Sequence, residues 1–164
     1  MKFVDCDSRH APAIQAIFND AICHSTAIYD YEPRSLETIQ GWMQSKAVGN
    51  YPLFGVESPE GELMGFATCG PFRTLQAYQH SVEHSVYVDQ AFRGQGLGRL
   101  LLEELIRRVA ERRFHMMIGV IDRDNEISIS LHKKLGFTFC GEVREAGFKF
   151  GRWLDIVLYQ KILG

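Results

Sequence analysis

The sequence predicts one globular domain of the mixed α/β class, in which helices and strands alternate. Its 164 residues are 46% hydrophobic and 23% charged, so a single core can form without disulfide or metal support. From Ser81 to Val88 the side chains alternate between two unlike sets, which is typical of a strand with two different faces. Immediately afterwards, leucines recur at helical spacing over residues 97–109. Strand and helix periodicities therefore follow one another in a single chain.

The other elements follow from the same two periodicities and from the turn residues between them. The apolar face of a first helix, which ends near Cys23, consists of Ile14, Ile17, Phe18, Ala21 and Ile22. Ser35 is a candidate N-cap for a second helix, which Gly49 ends. The patterns also predict a short helix over residues 126–135 and strands over residues 3–4, 53–56, 63–69, 81–88, 116–121, 137–143 and 153–159.

The charge balance excludes several kinds of partner. Lysine and arginine number 18, and aspartate and glutamate number 20, which leaves a formal net charge of −2. No global basic field is available to bind nucleic acid or an anionic membrane, so any anion site must be local. The longest clean apolar stretch, residues 116–121, is far too short to cross a bilayer. We expect a soluble protein that binds neither nucleic acid nor membranes.

The four cysteines indicate a reducing compartment. Cys6, Cys23, Cys69 and Cys140 lie far apart, with no CxxC pair and without the spacing of a disulfide framework or a zinc site. Charged residues interrupt the apolar ones at the N-terminus, so neither a signal peptide nor an Arg-rich transit peptide is expected. We therefore expect a cytoplasmic location.

One sequence motif matches a known metal-binding pattern. The segment His80-Ser81-Val82-Glu83-His84 matches H-x-x-E-H, the inverted zinc-protease motif. That motif works on a helix, where residues i and i+4 are neighbours. On a strand the two histidines stand roughly 13 Å apart at ~3.3 Å per residue, too far to share one metal. We expect no metal.

A glycine-rich turn lies where the strand ending at Val88 leads into the helix over residues 97–109. In Arg93-Gly94-Gln95-Gly96-Leu97-Gly98, backbone N–H groups and the positive end of the helix dipole converge on one point. Glycines let phosphate oxygens approach the backbone, and the arginine adds a charge-assisted donor. The turn predicts a phosphate site; the alternative is that the glycines only relieve a tight turn.

The spacing within the turn excludes two common nucleotide sites. A Walker A loop ends in Gly-Lys-Ser/Thr, whereas this turn continues Gly98-Arg99-Leu100. A dinucleotide site requires GxGxxG followed by an acidic residue after the next strand, whereas the pattern here is GxGxG. The phosphate therefore belongs to another class of ligand.

The turn and its surroundings resemble the GCN5-related N-acetyltransferase (GNAT) superfamily over essentially the whole chain. The residues that carry the resemblance are segments 86–88 and 93–98, with Asn125, Ser128, Leu131, Gly136 and Phe137 downstream. Segments 74–75, 82–88 and 149–155 are similar to the phosphinothricin and methionine sulfoximine acetyltransferase branch. The resemblance implies a single N-acetyltransferase domain over residues 1–164. Its fold would be a mixed, mostly antiparallel sheet of six to seven strands, flanked by helices on both faces.

The resemblance also implies that the turn holds the pyrophosphate of acetyl-CoA. The residues expected to bind this cosubstrate are Val86, Tyr87, Val88, Arg93, Gly94, Gln95, Gly96, Leu97, Gly98, Arg99, Asn125 and Ser128. Backbone N–H groups are expected to meet the reaction's oxyanion where residues 86–88 separate from the neighbouring strand.

Glu83 is the candidate general base, because transfer from a thioester to an amine requires a neutral amine. It lies on the face opposite the valines of the strand that enters the turn. Its carboxylate could therefore accept the amine proton directly or through a water. The resemblance places a carboxylate base at this position, and the alternative is an ordinary solvated glutamate.

Three polar residues share one stripe of the predicted short helix. Asn125, Ser128 and His132 fall at positions i, i+3 and i+7. By resemblance, Asn125 contacts coenzyme A. His132 stands where many members of the superfamily carry a tyrosine thought to protonate the departing thiolate. A histidine, with a reference pKa of roughly 6.5, could do the same, or it could serve only as a hydrogen-bonding residue.

Substrate recognition is assigned to two segments. Arg73 is a candidate clamp for a substrate carboxylate, with Thr74 and Leu75 beside it; the alternative is a solvated loop arginine. Residues expected to line the amine pocket are Glu83, His84 and Ser85. Cys69 and Cys140 fall in apolar strands with no adjacent base, which favours inert buried thiols over an acetyl-cysteine intermediate.

The predicted activity is acetyl transfer from acetyl-CoA to the α-amine of a small amino-acid-like substrate. Phosphinothricin, methionine sulfoximine and methionine sulfone are the model substrates, and transfer is expected to be direct, within a ternary complex. One alternative is a protein or peptide amine acetyltransferase, which would require an open groove in place of the loop around residues 29–32. Another is a coenzyme A-binding sensor without catalysis. Homodimerisation is a further expectation from the resemblance.

Overall fold

The computed structural model describes residues 1–164 as a seven-stranded mixed sheet with helices against both faces. The strands are β1 (Lys2–Asp5), β2 (Leu53–Glu57), β3 (Leu63–Pro71), β4 (Ser81–Val88), β5 (Met116–Asp122), β6 (Thr138–Lys149) and β7 (Arg152–Ile162). The helices are α1 (Ala11–His24), α2 (Leu36–Val48), α3 (Leu97–Glu111) and α4 (Glu126–Lys134). The predicted fold class is confirmed.

The strand order is β1-β2-β3-β4-β5-β7-β6. Every neighbouring pair is antiparallel except β4 with β5, which α3 connects. The expectation of a mostly antiparallel sheet is therefore confirmed. None of the helices combines the length and the apolar character that a bilayer crossing demands.

Two apolar cores, one on each face of the sheet, hold the helices in place. Leu101 of α3 and Val82 of β4 are fully buried in the first core. In the second core, the ring of Phe18 on α1 meets that of Phe66 on β3 edge to face, with centroids 5.1 Å apart. Tyr87 packs against Phe18 in this second core, again with centroids 5.1 Å apart. The alternation along β4 thus arises because its two faces meet different helices.

The helix boundaries follow the predicted capping residues. The Ser35 hydroxyl accepts the backbone N–H of Thr38 at 3.1 Å, which confirms the N-cap of α2. Asn125 is the N-cap of α4 rather than part of the helix, and its side chain accepts the N–H of Ser128 at 3.1 Å. Gly136 follows α4 with a φ of +83°, in the left-handed region that favours glycine.

Strands β4 and β5 pair over only three residues each before they diverge. The parallel register joins residues 81–83 to residues 116–118. Beyond this point β4 remains paired with β3 to Val88, and β5 remains paired with β7 to Asp122. From His84 onward, the edge of β4 that faces β5 therefore has no strand partner. The predicted separation of this strand from its neighbour is confirmed, and it begins earlier than residue 86.

The C-terminal hairpin is longer than the sequence pattern predicts. Instead of residues 137–143 and 153–159, its strands span Thr138–Lys149 and Arg152–Ile162. The intervening Phe150 and Gly151 have φ values of +52° and +73°, as in the two-residue turns that suit the twist of a hairpin. The register shifts between residues 143 and 147, which explains why no alternation marks the extension.

Lys149 ties the segment between α1 and α2 to this hairpin. It is 3% exposed, and its ammonium donates to the backbone carbonyls of Ile22, Ser25 and Ile28 at 2.6, 2.9 and 2.6 Å. Burial lowers the pKa of Lys149, but three carbonyl oxygens satisfy its three N–H donors. These hydrogen bonds anchor residues 25–28 to the C-terminal hairpin.

Two tyrosines extend this attachment. The Tyr31 hydroxyl donates to the Phe148 carbonyl. The Tyr29 ring lies over Gly147, where a Cβ would come within 2.5 Å of the ring. The Tyr29 hydroxyl also donates to the Asp122 carboxylate at 3.4 Å. Residues 25–31 therefore form an anchored cover beside the point where β4 and β5 diverge, and we call residues 25–31 the cover loop.

Replacing Lys149 with methionine is expected to destabilise the fold by about 3 kcal/mol, because three carbonyl oxygens lose their buried donor. Urea unfolding followed by tryptophan fluorescence measures the difference. The exposed Lys133→Met variant is the control and should change the free energy of unfolding by less than about 0.5 kcal/mol. Equal stability of the two variants would contradict the role given to Lys149.

Candidate active site

The glycine-rich turn leaves the first backbone N–H groups of α3 uncapped. Gly94 and Gly96 have φ values of +78° and +79°, which L side chains rarely adopt. Gly96 is the N-cap residue, so no side chain accepts hydrogen bonds from the first turn of α3. No acidic residue occupies that turn either. The N-terminus of α3 can therefore bind an anion through backbone N–H groups and the helix dipole.

A cavity of about 600 Å³ lies directly at this turn. Its lining residues are Val88, Phe92, Arg93, Gly94, Gly96, Leu97, Gly98, Arg99, Glu126, Ile127, Ser130, Leu131 and Lys134. Three cationic side chains against one acidic side chain make the cavity locally basic, although the chain has a net charge of −2. Arg93 pairs with Asp20 at 2.8 Å, and its Nε donates to the Val88 carbonyl at 3.2 Å. This local charge suits a phosphate-bearing ligand.

A second cavity, of about 480 Å³, occupies the space between the diverging β4 and β5; we call it the cleft. Its walls are Ile17, Ala21, Ser25 and Ala27, residues 83–88 of β4, residues 120–122 of β5, and Arg93, Gly98, Leu102, Asn125, Ile127, Ser128, Leu131 and His132. Both cavities are lined by Val88, Arg93, Gly98, Ile127 and Leu131. The cavity at the glycine-rich turn and the cleft are therefore continuous.

Glu83 lies at the end of the cleft, in the last pair that joins β4 to β5. It is partly buried, and desolvation raises the pKa of its carboxyl group above the ordinary value. The ammonium of Lys46 opposes this rise. The Lys46 ammonium donates to the Cys69 carbonyl at 2.9 Å. A Cβ on Gly70 would lie 3.0 Å from the same nitrogen, and Gly70 is the residue of β3 that pairs with Glu83. A carboxyl group with a raised pKa in a cleft is suited to general base catalysis.

His84 and His132 form a hydrogen-bonded pair where β4 and β5 diverge. Their Nε2 atoms are 2.8 Å apart, and the rings stack with centroids 4.9 Å apart and an interplanar angle of 19°. The Nδ1–H of His132 donates to the Ser128 carbonyl at 2.7 Å. Burial lowers the pKa of both imidazoles, which favours the neutral form of each ring.

Gly119 on β5 makes room for this pair. A Cβ at this position would lie 2.7 Å from Nε2 of His84 and 2.9 Å from Nε2 of His132. Phe137 closes the other side, with its ring edge to face against both histidines at centroid distances of 5.8 and 5.0 Å. The two rings are therefore held between a strand backbone and an aromatic side chain.

The two cavities bring together most of the residues predicted for the site. The cleft is lined by Glu83, His84, Ser85, Val86, Tyr87, Val88, Asn125, Ser128 and His132. Of the predicted residues 93–99 in the turn, all except Gln95 line the first cavity. Arg73, Thr74 and Leu75 are exposed and line neither cavity; the Arg73 guanidinium lies 5.9 Å from the ring centroid of Tyr78. Within this chain, these three residues do not meet the cleft.

Several residues at the site were not predicted from the sequence. Lys46, beside Glu83, comes from a helix with no motif to mark it. Gly119 lies within an apolar strand, where the absence of a side chain carries no signal by itself. Asp122 lines the cleft and could have been suspected, because it is an acidic residue directly after a predicted buried strand. Burial and this carboxylate raise the pKa of Tyr29 to about 12.

The cysteines do not line the cleft, and the two histidines of the H-x-x-E-H motif do not come together. Cys69 is buried, and desolvation raises the pKa of its thiol to about 12, as expected for an inert thiol. The prediction that Cys140 is buried is wrong: it is exposed on the edge strand β6, with its thiol donating to the Leu158 carbonyl. His80 lies exposed before β4, whereas His84 points to His132.

Comparisons with known proteins agree with this geometry. The Acetyltransferase (GNAT) family model matches residues 14–137. The chain is 41% identical over 149 residues to an L-methionine sulfoximine/L-methionine sulfone acetyltransferase of Pseudomonas paraeruginosa, a match that covers 91% of this chain and 87% of that relative.

Two solved structures share the whole fold. An N-acetyltransferase of Staphylococcus aureus superposes with a TM-score of 0.97 at 37% identity, over 99% of this chain and 98% of the other. A phosphinothricin acetyltransferase of Sinorhizobium meliloti, in complex with acetyl-CoA, superposes with a TM-score of 0.96 at 32% identity, over 99% and 88% of the two chains. Since the family model matches most of the chain and a relative is 41% identical over 91% of it, the chain belongs to the GNAT family of acetyltransferases.

Proposed function

We propose that this protein transfers the acetyl group of acetyl-CoA to the α-amine of a small amino-acid-like substrate. Methionine sulfoximine, methionine sulfone and phosphinothricin are the substrate types named for its relatives. The whole chain, residues 1–164, acts as one N-acetyltransferase domain. The proposed transfer is direct, within a ternary complex; no cysteine lines the cleft, which supports direct attack over an acetyl-cysteine intermediate.

The anchored cover loop is the main evidence that the substrate is a small molecule. Ser25 and Ala27 of this loop line the cleft, and the Lys149 ammonium together with Tyr29 and Tyr31 holds the loop against the C-terminal hairpin. A cleft of about 480 Å³ under such a cover suits a small molecule. A lysine on a protein surface would need an open groove in place of this loop, so the geometry disfavours a protein or peptide substrate.

The turn and its cavity provide the coenzyme site. The uncapped N–H groups at the start of α3, with Arg93 and Arg99 beside them, would hold the pyrophosphate. The pantetheine arm would then extend along the residues shared by the two cavities. When bound, acetyl-CoA supplies the thioester whose acetyl group is transferred.

The cleft provides the groups that acetyl transfer demands. Glu83 takes the proton of the substrate ammonium, for which its raised pKa makes it suited. The free edge of β4 beyond His84 presents backbone N–H groups that can stabilise the developing oxyanion. His132 handles a second proton through the contact that it makes with His84. None of these roles calls for a metal.

Free thiol release from acetyl-CoA tests the proposed function directly. The amine panel contains phosphinothricin, methionine sulfoximine, methionine sulfone, common amino acids, polyamines and a lysine peptide. Saturable turnover on the first three supports the proposal. Turnover on the peptide alone would indicate protein acetylation, and coenzyme binding with no turnover would indicate a sensor.

We also propose a homodimer in a reducing, cytoplasmic compartment. Phe148, Phe150 and Trp153 of the hairpin are exposed, with Tyr31 beside them, and β6 is an edge strand. The four cysteines are free, as a reducing environment would keep them. Sedimentation velocity should give twice the chain mass, and Trp153→Glu should shift the protein towards the monomer; a monomer at all concentrations would contradict the dimer.

Substituting Gly96 with alanine should weaken acetyl-CoA binding by about tenfold or more, because it strains a left-handed residue and adds a Cβ beside the N–H groups. Gly61→Ala is the matched control, since Gly61 also has a positive φ with open space around it but lies in a distant turn. Isothermal titration calorimetry measures both affinities. Equal affinity of the two variants would contradict the coenzyme site.

Substituting Glu83 with glutamine should lower kcat by about 10²- to 10⁴-fold, which is the range for loss of a general base. The affinity for acetyl-CoA should not change, because Glu83 does not line the turn cavity. The exposed Glu62→Gln variant is the control. If Glu83→Gln retains full kcat, Glu83 is not the base.

A further inference from the structure

The hydrogen bonds of the paired histidines determine where each proton lies. Nδ1 of His132 is 2.7 Å from the Ser128 carbonyl oxygen, which can only accept, so this nitrogen carries a hydrogen. In a neutral imidazole, Nε2 of His132 is then an acceptor. The hydrogen in the 2.8 Å contact between the two Nε2 atoms must therefore come from His84.

This arrangement leaves a lone pair on Nδ1 of His84. That atom is buried and is the one buried side-chain nitrogen or oxygen in the structure with no hydrogen-bond partner. A buried acceptor without a partner costs free energy, so its presence in a folded protein requires an explanation, and a catalytic role is one such explanation. His84 lines the cleft and is adjacent to Glu83, at the point where β4 loses its pairing with β5.

His132 has no free ring nitrogen with which to meet a substrate. Its Nδ1 is occupied by the Ser128 carbonyl and its Nε2 by His84. Gly119 and Phe137 hold the rings in this arrangement from opposite sides. Of the two histidines, only His84 therefore keeps a ring lone pair outside any hydrogen bond, and His84 is one of the residues that line the cleft.

We propose that His84 is a catalytic residue that forms a two-imidazole proton relay with His132, with Nδ1 of His84 as its entrance and exit. The proposal rests on the acetyltransferase function proposed above and adds a residue to it. The second imidazole lets the positive charge move from His84 to His132, away from the substrate. The Ser128 carbonyl stabilises this charge because it accepts a hydrogen bond from the cationic His132.

The amine loses two protons during the reaction, and the relay carries the second of them to the leaving sulfur. Glu83 takes the first proton of the ammonium and releases it to solvent. As the nitrogen bonds to the thioester carbon, the amine gives a second proton to Nδ1 of His84, while the Nε2 proton of His84 moves to Nε2 of His132. When the C–S bond breaks and the sulfur leaves with its electron pair, the relay runs backwards and the sulfur receives this proton.

Nuclear magnetic resonance of ¹⁵N-histidine protein tests the proton positions without any need for turnover. Long-range ¹H–¹⁵N correlation distinguishes the two ring nitrogens of each of the six histidines, and the His84→Gln and His132→Gln spectra assign the pair. The expected tautomers are Nε2–H for His84 and Nδ1–H for His132 in the wild-type protein at pH 7. An Nδ1–H tautomer for His84 would overturn the proposal.

The His84→Gln variant separates proton relay from mere positioning. A glutamine amide can keep an N–H donor towards His132, but it is not basic enough to take up a proton. We expect kcat to fall by about 10²-fold or more, with the affinity for acetyl-CoA unchanged. The double variant with His132→Gln should lose no more than His84→Gln alone, because residues that act as a unit are not additive.

The controls distinguish failure of the relay from failure of the proposed function. The exposed His115→Gln variant should retain wild-type kcat. If wild-type protein turns over its amine and His84→Gln is equally active, the relay is wrong and the proposed function stands. If wild-type protein acetylates no amine of the panel, the proposed function fails and the catalytic role of His84 fails with it.

Discussion

The site depends on the place where β4 and β5 stop pairing. Only residues 81–83 and 116–118 are joined, and each strand then continues with its other neighbour alone. Had the parallel ladder continued, backbone hydrogen bonds would have filled the space that is now the cleft. The divergence leaves one edge of β4 without a strand partner. It also places Glu83 and His84, which lie on opposite faces of β4, at the end of the cleft where the two strands are still paired.

Two glycines matter at this site for different reasons. At Gly96 the backbone adopts a left-handed conformation, which leaves the N–H groups at the start of α3 uncapped and accessible. At Gly119 the backbone is ordinary, and what matters is the missing side chain, since a Cβ would meet both histidine rings. In the proposed function, Gly96 affects binding of the coenzyme phosphates, whereas Gly119 affects the placement of the two histidine rings.

The size of the cleft depends on a contact far from the chemistry. Lys149 is the last residue of β6, yet its ammonium satisfies one carbonyl in the last turn of α1 and two carbonyls of the chain that follows α1. Burying an ammonium is costly unless each N–H has a partner, and here each has one. This hydrogen bonding holds the cover loop over the cleft and gives the site its small volume.

The sequence by itself determined the order of the elements, the glycine-rich turn between strand and helix, and the candidate base, because alternation, helical spacing and glycine clustering are local properties of the chain. The tertiary structure alone decided which distant residues meet. It brought Lys46 to Glu83 and His132 to His84, left Arg73 outside the cleft, exposed Cys140 on an edge strand, and extended the hairpin through a twisted turn. Such contacts depend on strand register and on how helices pack against a sheet, and no local pattern encodes those distances.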